Sequence, residues 1–237
     1  MALIWPPSLR PQEIDVFLKP MTVRGPATPS GQQAIGSDAG YWVMSLDSVP
    51  LATEHQIREW RYIIAALQGG LETVSIGPFD KQYAPLLEGA GPYIDGVTHS
   101  DGALHSDGSG YAQSTIVTRF YGGHASGVTT ATVEILRSAP LYRGMYFSVL
   151  DPNGDERLYI VTSAPQSIEV APGSFARVSF SFLPPLRGAS LSAANVEFGD
   201  PKGTWRLASA ETGHLALTGS IYGDPSVEFV EAYSGIS

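Results

Sequence analysis

Most of the chain alternates between apolar and polar positions. In "SFARVSFSFL", Val178, Phe180 and Phe182 fall on one face, with Arg177, Ser179 and Ser181 on the other. "ATVEILRS" sets Val133 and Ile135 against Thr132 and Glu134, and "ERLYIVTS" sets Leu158, Ile160 and Thr162 against Tyr159 and Val161. A period of two is that of a strand with one face buried. Similar short runs occur at Ile14–Leu18, Tyr41–Val49, Leu71–Ile76, Thr115–Phe120, Thr204–Ala208, His214–Tyr222 and Val227–Ala232. Scattered Gly and Pro punctuate them, so the pattern predicts antiparallel meanders with tight connections.

One segment departs from this period. Between Ala52 and Gly69 the apolar residues Ile57, Trp60, Ile63, Ile64 and Leu67 recur at helical spacing. Thr53 followed by Gln56 forms a capping box, Pro50 stands just outside, and Gly69-Gly70 supplies the left-handed stop. The expectation is a mainly β protein, an antiparallel β-sandwich or barrel-like architecture. One amphipathic helix, about 52–69, should lie on its N-terminal sheet with Trp60 as a core anchor.

The segment 86–110, "LLEGAGPYIDGVTHSDGALHSDGSG", has no periodic pattern, and loops this long are usually functional or linkers. It suggests a helix-bearing β domain at 1–86, a Gly/Asp-rich linker at 87–112 and an all-β domain at 113–237. The Pro-rich start and the tail after Tyr233 read as loosely held ends.

That linker also carries the most suggestive chemistry. His99, Asp101, His105 and Asp107 are of the residue types that ligate zinc, and could centre a metal-dependent hydrolase. Yet Ser-Asp-Gly twice in series is turn chemistry, because Asp bonds amides two residues on and Gly accepts the positive φ that follows. Turns are the better explanation, and no metal site is assigned.

Asp151, Asn153 and Asp155 have calcium-loop spacing, but Glu156 stands where that loop needs Gly and Thr162 where it needs Glu. Asp151–Asp155 and Asp200-Pro201-Lys202-Gly203 both read as hairpin turns. His124 and Ser126 are too close in sequence to face each other as a dyad. The acid pairs Glu13/Asp15 and Glu197/Asp200 are ordinary at strand ends. No serine elbow and no lysine-bearing phosphate loop is present. No catalytic residue, cofactor or enzymatic activity is therefore predicted.

Charge narrows the partners. The 237 residues carry 23 acidic and 14 basic side chains, a net charge of −9, which disfavours phosphate backbones and anionic membranes. Charged residues are only 16%, so much of the surface is Ser, Thr and Gly, as suits faces covered by other subunits. Without cysteine there is no disulfide or thiolate site. The start lacks a secretory pattern, and "YIIAAL" is too short to span a bilayer, so a cytoplasmic origin without membrane insertion is expected.

The order of these pieces resembles a known family. "TEHQIREWRYIIAALQGG" followed by "LETVSIGPFD", the "HSDG…HSDGSGY" linker, "GMYFSVLDPNGDERLYIVTSAP…RVSFSFLPPLRGA" and "VEFGDPKGTWRLAS" closing on "VEFVEAY" are similar to the distal tail proteins of siphophages. Their relatives occur in prophages and gene transfer agents. The resemblance implies a structural component of a virion tail tip or baseplate. It also implies a homo-oligomeric ring, usually a hexamer, joining the tail tube protein to hub and fibre proteins. It brings no catalytic residues and no cofactor. The alternative is a β-sandwich glycan-binding module, for which Trp42, Trp205 or Tyr222 would have to lie on an exposed flat face.

Overall fold

The computed structural model describes residues 2–24, 34–79, 117–137, 141–171, 174–190, 192–219 and 221–232. The fold is mainly β, as the alternation predicts: a six-stranded mixed sheet, a closed six-stranded antiparallel barrel and one α-helix. The sheet is built from β1 (Leu3–Ile4), β2 (Glu13–Arg24), β3 (Ala34–Asp47), β4 (Val74–Ile76), β12 (Gly203–Leu207) and β15 (Val227–Glu231). Its order is β1-β4-β12-β15-β3-β2, and only β1–β4 is described as parallel.

The barrel is built from β5 (Val117–Phe120), β6 (Thr130–Arg137), β7 (Tyr146–Leu150), β8 (Glu156–Val161), β10 (Ala176–Leu183) and β11 (Asn195–Glu197). Pairing of β6 with β10 closes it, and β9 (Gln166–Ile168) lies beside β10. Closure removes the unpaired edges an open sheet would expose. Phe120, Val133, Phe147, Tyr159, Phe180, Phe182 and Phe198 fill the interior. Phe147 lies within 5.6 Å, centroid to centroid, of Tyr159, Phe180, Phe182 and Phe198.

Helix α1 (Glu54–Ala66) forms where the periodicity places it. The Thr53 hydroxyl accepts the Gln56 N–H at 3.2 Å, and the Gln56 side chain accepts the Thr53 N–H at 3.2 Å. After Leu67, a short 3-10 turn (Gln68–Gly70) has Gly69 at φ 65° and Gly70 at φ 100°, the left-handed conformation that ends the helix. Ile57, Trp60, Ile63 and Leu67 are buried against Met44, Leu46, Trp205 and Phe229 of the sheet. Each such side chain contributes about 1.5–3 kcal/mol by leaving water.

Four expectations are corrected. The Pro-rich start is fixed in the core: Trp5 stands edge-on to Trp60 at 6.0 Å and to Phe229 at 5.7 Å, and its Nε1–H donates to the Leu9 carbonyl. The run His214–Tyr222 is broken into β13 (Leu217–Thr218) and β14 (Tyr222–Gly223), with Gly219 at φ 61° between them. Asp200–Gly203 does not close a hairpin. It carries the chain from β11 in the barrel to β12 in the sheet, because Trp205 finds its core there. Finally, the residues expected to continue the all-strand part do not stay with it, since β12 and β15 return as central strands of the first sheet.

Barrel and sheet are joined through β7 and β8, which bury both faces. Their inner residues fill the barrel, while Tyr146, Leu158 and Ile160 pack against the helix-bearing core. This explains why β8 reads as "ERLYIV" without a clean polar face.

Candidate functional site

The metal candidates His99, Asp101, His105 and Asp107 lie outside the described residues, as does the segment 86–110. Among the described residues no group of three or more His, Asp or Glu side chains is placed to hold a metal ion.

The remaining polar motifs are mostly occupied by local bonds. Asp151 Oδ1 accepts the N–H groups of Asn153 at 2.9 Å and Asp155 at 3.0 Å, and Gly154 N–H returns to the Asp151 carbonyl at 2.9 Å. This is the hairpin turn expected there, with Gly154 at φ 87°. Glu197 Oε1 likewise accepts the N–H groups of Gly199 and Asp200, at 2.7 and 3.0 Å. His124 bridges to the Ser190 backbone and sets its ring 4.7 Å from Phe120, while the Ser126 hydroxyl turns to the Leu186 carbonyl at 3.3 Å. Burial lowers the His124 pKa below its ordinary value, and its bond to Gly122 backbone only partly offsets this. Glu13 and Asp15 sit on β2, the outer strand of the sheet.

A groove of about 350 Å³ opens where barrel meets sheet, lined by Ser148, Glu156, Asn195, Glu197, Asp200 and Lys202 among others. Its charges are partly engaged: Glu156 accepts the Ser75 hydroxyl, and Lys202 Nζ lies 3.5 Å from Asp200 Oδ2. Among the described residues that line it, no hydroxyl is paired with a histidine.

Two arginines, Arg157 fully buried and Arg187 half-buried, hold the joint between barrel and sheet. Arg187 donates through Nε and Nη2 to Glu231 at 3.3 and 3.1 Å and through Nη2 to the Gly40 carbonyl; its own N–H donates to Tyr159 Oη at 3.1 Å. Glu231 also accepts the Trp42 N–H at 3.2 Å, and Trp42 Nε1–H donates across to the Leu158 carbonyl at 2.7 Å. Arg157 donates to Asp151, Asp155 and the Ala232 carbonyl. Both clusters tie barrel residues to sheet residues. Burial pushes the Tyr159 hydroxyl well above the ordinary tyrosine range, so it stays protonated.

Among the described residues, one edge of the sheet is left open. β2 is the last strand in its order, 12 residues long, and β3 is its one described partner. β15 pairs with β3 only from Val43 to Leu46, so the β2–β3 ribbon continues from Tyr41 back to Ala34 with no described strand on its other side. The register shifts between Lys19 and Met21, where Pro20 has no N–H to donate. Gly40 lies at this shift because a Cβ there would meet the Lys19 carbonyl at 2.8 Å. Phe17 and Met21 on β2 are 44% and 59% exposed, and Ile4 on β1, the opposite edge, is 76% exposed.

This edge is what the sequence did not disclose. Its strands read as ordinary alternation, and nothing in the alternation says which strand ends up outermost. The aromatic residues proposed for a glycan-binding face also need correcting, since Trp42 and Trp205 are fully buried core side chains and only Tyr222 is exposed. A scan against protein-family models finds no match, and a search of curated proteins finds none either.

Proposed function

We propose that this protein is a structural subunit of a phage-type tail tip, acting by assembly rather than chemistry. Copies of the chain join in a ring, usually of six in the family it resembles, that connects the tail tube protein to hub and fibre proteins. The observation that carries this proposal is the long β2–β3 ribbon, with no described strand beside the outer edge of β2 or beside Ala34–Tyr41. A two-stranded ribbon is marginal in water and gains stability from a third partner. An exposed edge with apolar positions at Phe17 and Met21 is a natural place for a neighbour to add backbone and side-chain contacts. A neighbour taken up at one edge presents its own opposite edge, near Ile4, to the next copy. Such head-to-tail contact closes into a ring when the rotation permits.

The low charge content and the occupied polar motifs fit the same role. The test is the size of the purified full chain by light scattering, together with negative-stain images. Rings, or a concentration-dependent shift to a closed oligomer, are expected. A monomer at all concentrations, found on no tail particle, would overturn the proposal.

A further inference from the structure

The barrel docks on the sheet through β7 and β8, so its opposite wall faces away from the sheet. In the closed order β6-β5-β11-β7-β8-β10, strand β6 stands across the barrel from β7. The outward residues of β5, β6 and β10 fall in register. Arg119 and Arg177 flank Glu134 in one row, and Tyr121 and Ser179 flank Thr132 in the next.

The first row is a locked triad. Arg119 reaches Glu134 Oε2 through Nε and Nη2 at 2.9 and 2.8 Å; Arg177 reaches Oε1 through Nε and Nη2 at 3.1 and 2.9 Å. Each guanidinium uses the same edge for the carboxylate, which leaves its Nη1 outside the pair. The aromatic rings form the next layer. The Arg177 guanidinium lies 3.5 Å from the Tyr121 ring centroid, and the Arg119 guanidinium 5.6 Å from that of Phe175. The Glu134 and Arg177 side chains are 10% and 24% exposed, whereas Tyr121 and Phe175 are 48% and 50% exposed. The rings are the most exposed groups of the wall, Tyr121 over the more covered Arg177 and Phe175 beside Arg119, which is itself 36% exposed. Phe175 directly precedes Ala176, the partner of Ile135, so the two rings stand on opposite flanks of β6, offset along it on a diagonal.

We propose that this wall binds an anionic saccharide chain, a glycan bearing carboxylates such as a polyuronate. Two guanidiniums against one carboxylate leave a positive charge on a chain whose net charge is −9, so the patch selects an anion that the rest of the surface repels. The exposed rings stack on the C–H faces of sugar rings. The hydroxyls of Thr132 and Ser179 can each donate and accept, as sugar hydroxyls require, and the Nη1 groups meet the carboxylates. An acidic peptide fits less well. β5, β6 and β10 are each paired on both sides, so the wall offers a peptide no backbone ladder to extend. This site does not depend on ring assembly and stands or falls separately.

The test titrates the full chain by calorimetry with three probes: a galacturonic acid hexamer, maltohexaose and hexaglutamate. Binding of the galacturonate hexamer, weakening as salt rises, is expected, with little or no binding of the other two. Tyr121→Ala and Phe175→Ala should each weaken it about tenfold. Both positions are half-exposed, and an unchanged circular dichroism spectrum checks that the barrel is intact. Arg177→Gln should remove the salt dependence more than Phe175→Ala does. No galacturonate binding, equal binding of maltohexaose, preference for hexaglutamate, or affinity indifferent to both aromatic replacements would each overturn the proposal.

Discussion

Arg187 carries several constraints at once. It is a barrel-side residue whose guanidinium reaches Glu231 and the Gly40 carbonyl on the sheet. The Glu231 side chain is only 6% exposed, so its carboxylate has little water and is held by bonds from that partner. Arg187→Met should lower stability by about 3–5 kcal/mol, because it strands a buried carboxylate. Arg187→Met with Glu231→Leu should recover much of that loss, since an apolar pair of similar volume leaves no charge unpaired. Urea denaturation of the single and double variants measures both; a double variant as unstable as the single one would refute this account.

Glu134 makes a prediction in pH rather than in packing. Hydrogen bonds from Arg119, then from Arg177, hold its carboxyl below the ordinary glutamate range. A depressed folded-state pKa means stability that is present above the unfolded value and lost as pH falls through the folded one. Glu134→Gln should therefore flatten the acid side of the stability curve, seen as thermal midpoints between neutral and acid pH. An unchanged slope would show that the triad is not coupled to folding.

At the scale of elements, some local rules held and others were redirected. The helix was legible in full because its causes are local: Thr53 and Gln56 cap it, Gly69 and Gly70 end it, and one stripe of large apolar residues fixes its face. The turn at Asp151–Asp155 was legible for the same reason. Asp200–Gly203 has the same turn grammar but leads to a different sheet, because a turn sets direction over a few residues and Trp205 is claimed by a distant core. The exposed edge makes its prediction here. Phe17→Asp on β2 should leave the monomer folded, since Phe17 is half-exposed, yet weaken self-association at least tenfold. Sedimentation at several concentrations reads it, and association unaffected by the change would move the contact off this edge.

At the scale of the whole molecule, the chain leaves the first sheet after β4, builds the barrel, and returns to place β12 and β15 at the sheet's centre. The helix-bearing core is thus completed by Trp205, Leu207, Val227 and Phe229. A chain ended at Asp200 should lose the helical signal in circular dichroism, although every residue of α1 is present. Retention of that signal would mean that the N-terminal half suffices for its own core. The intact chain, with Leu158 in the helix-bearing core and Trp42 bonded to it, should unfold in one transition by all probes.

The sequence alone determined the β-rich class, the helix with both of its ends, and the buried face of strands such as β10, because period, caps and turns act over a few residues. It also made clear that polar motifs such as Asp151–Asp155 serve turns. Tertiary structure alone decided which strands are outermost, that Trp42 and Trp205 lie inside, and that Arg119, Glu134 and Arg177 converge on one wall. Those outcomes depend on pairing between residues far apart in the chain. A period of two specifies that a face is buried, but not which partner buries it.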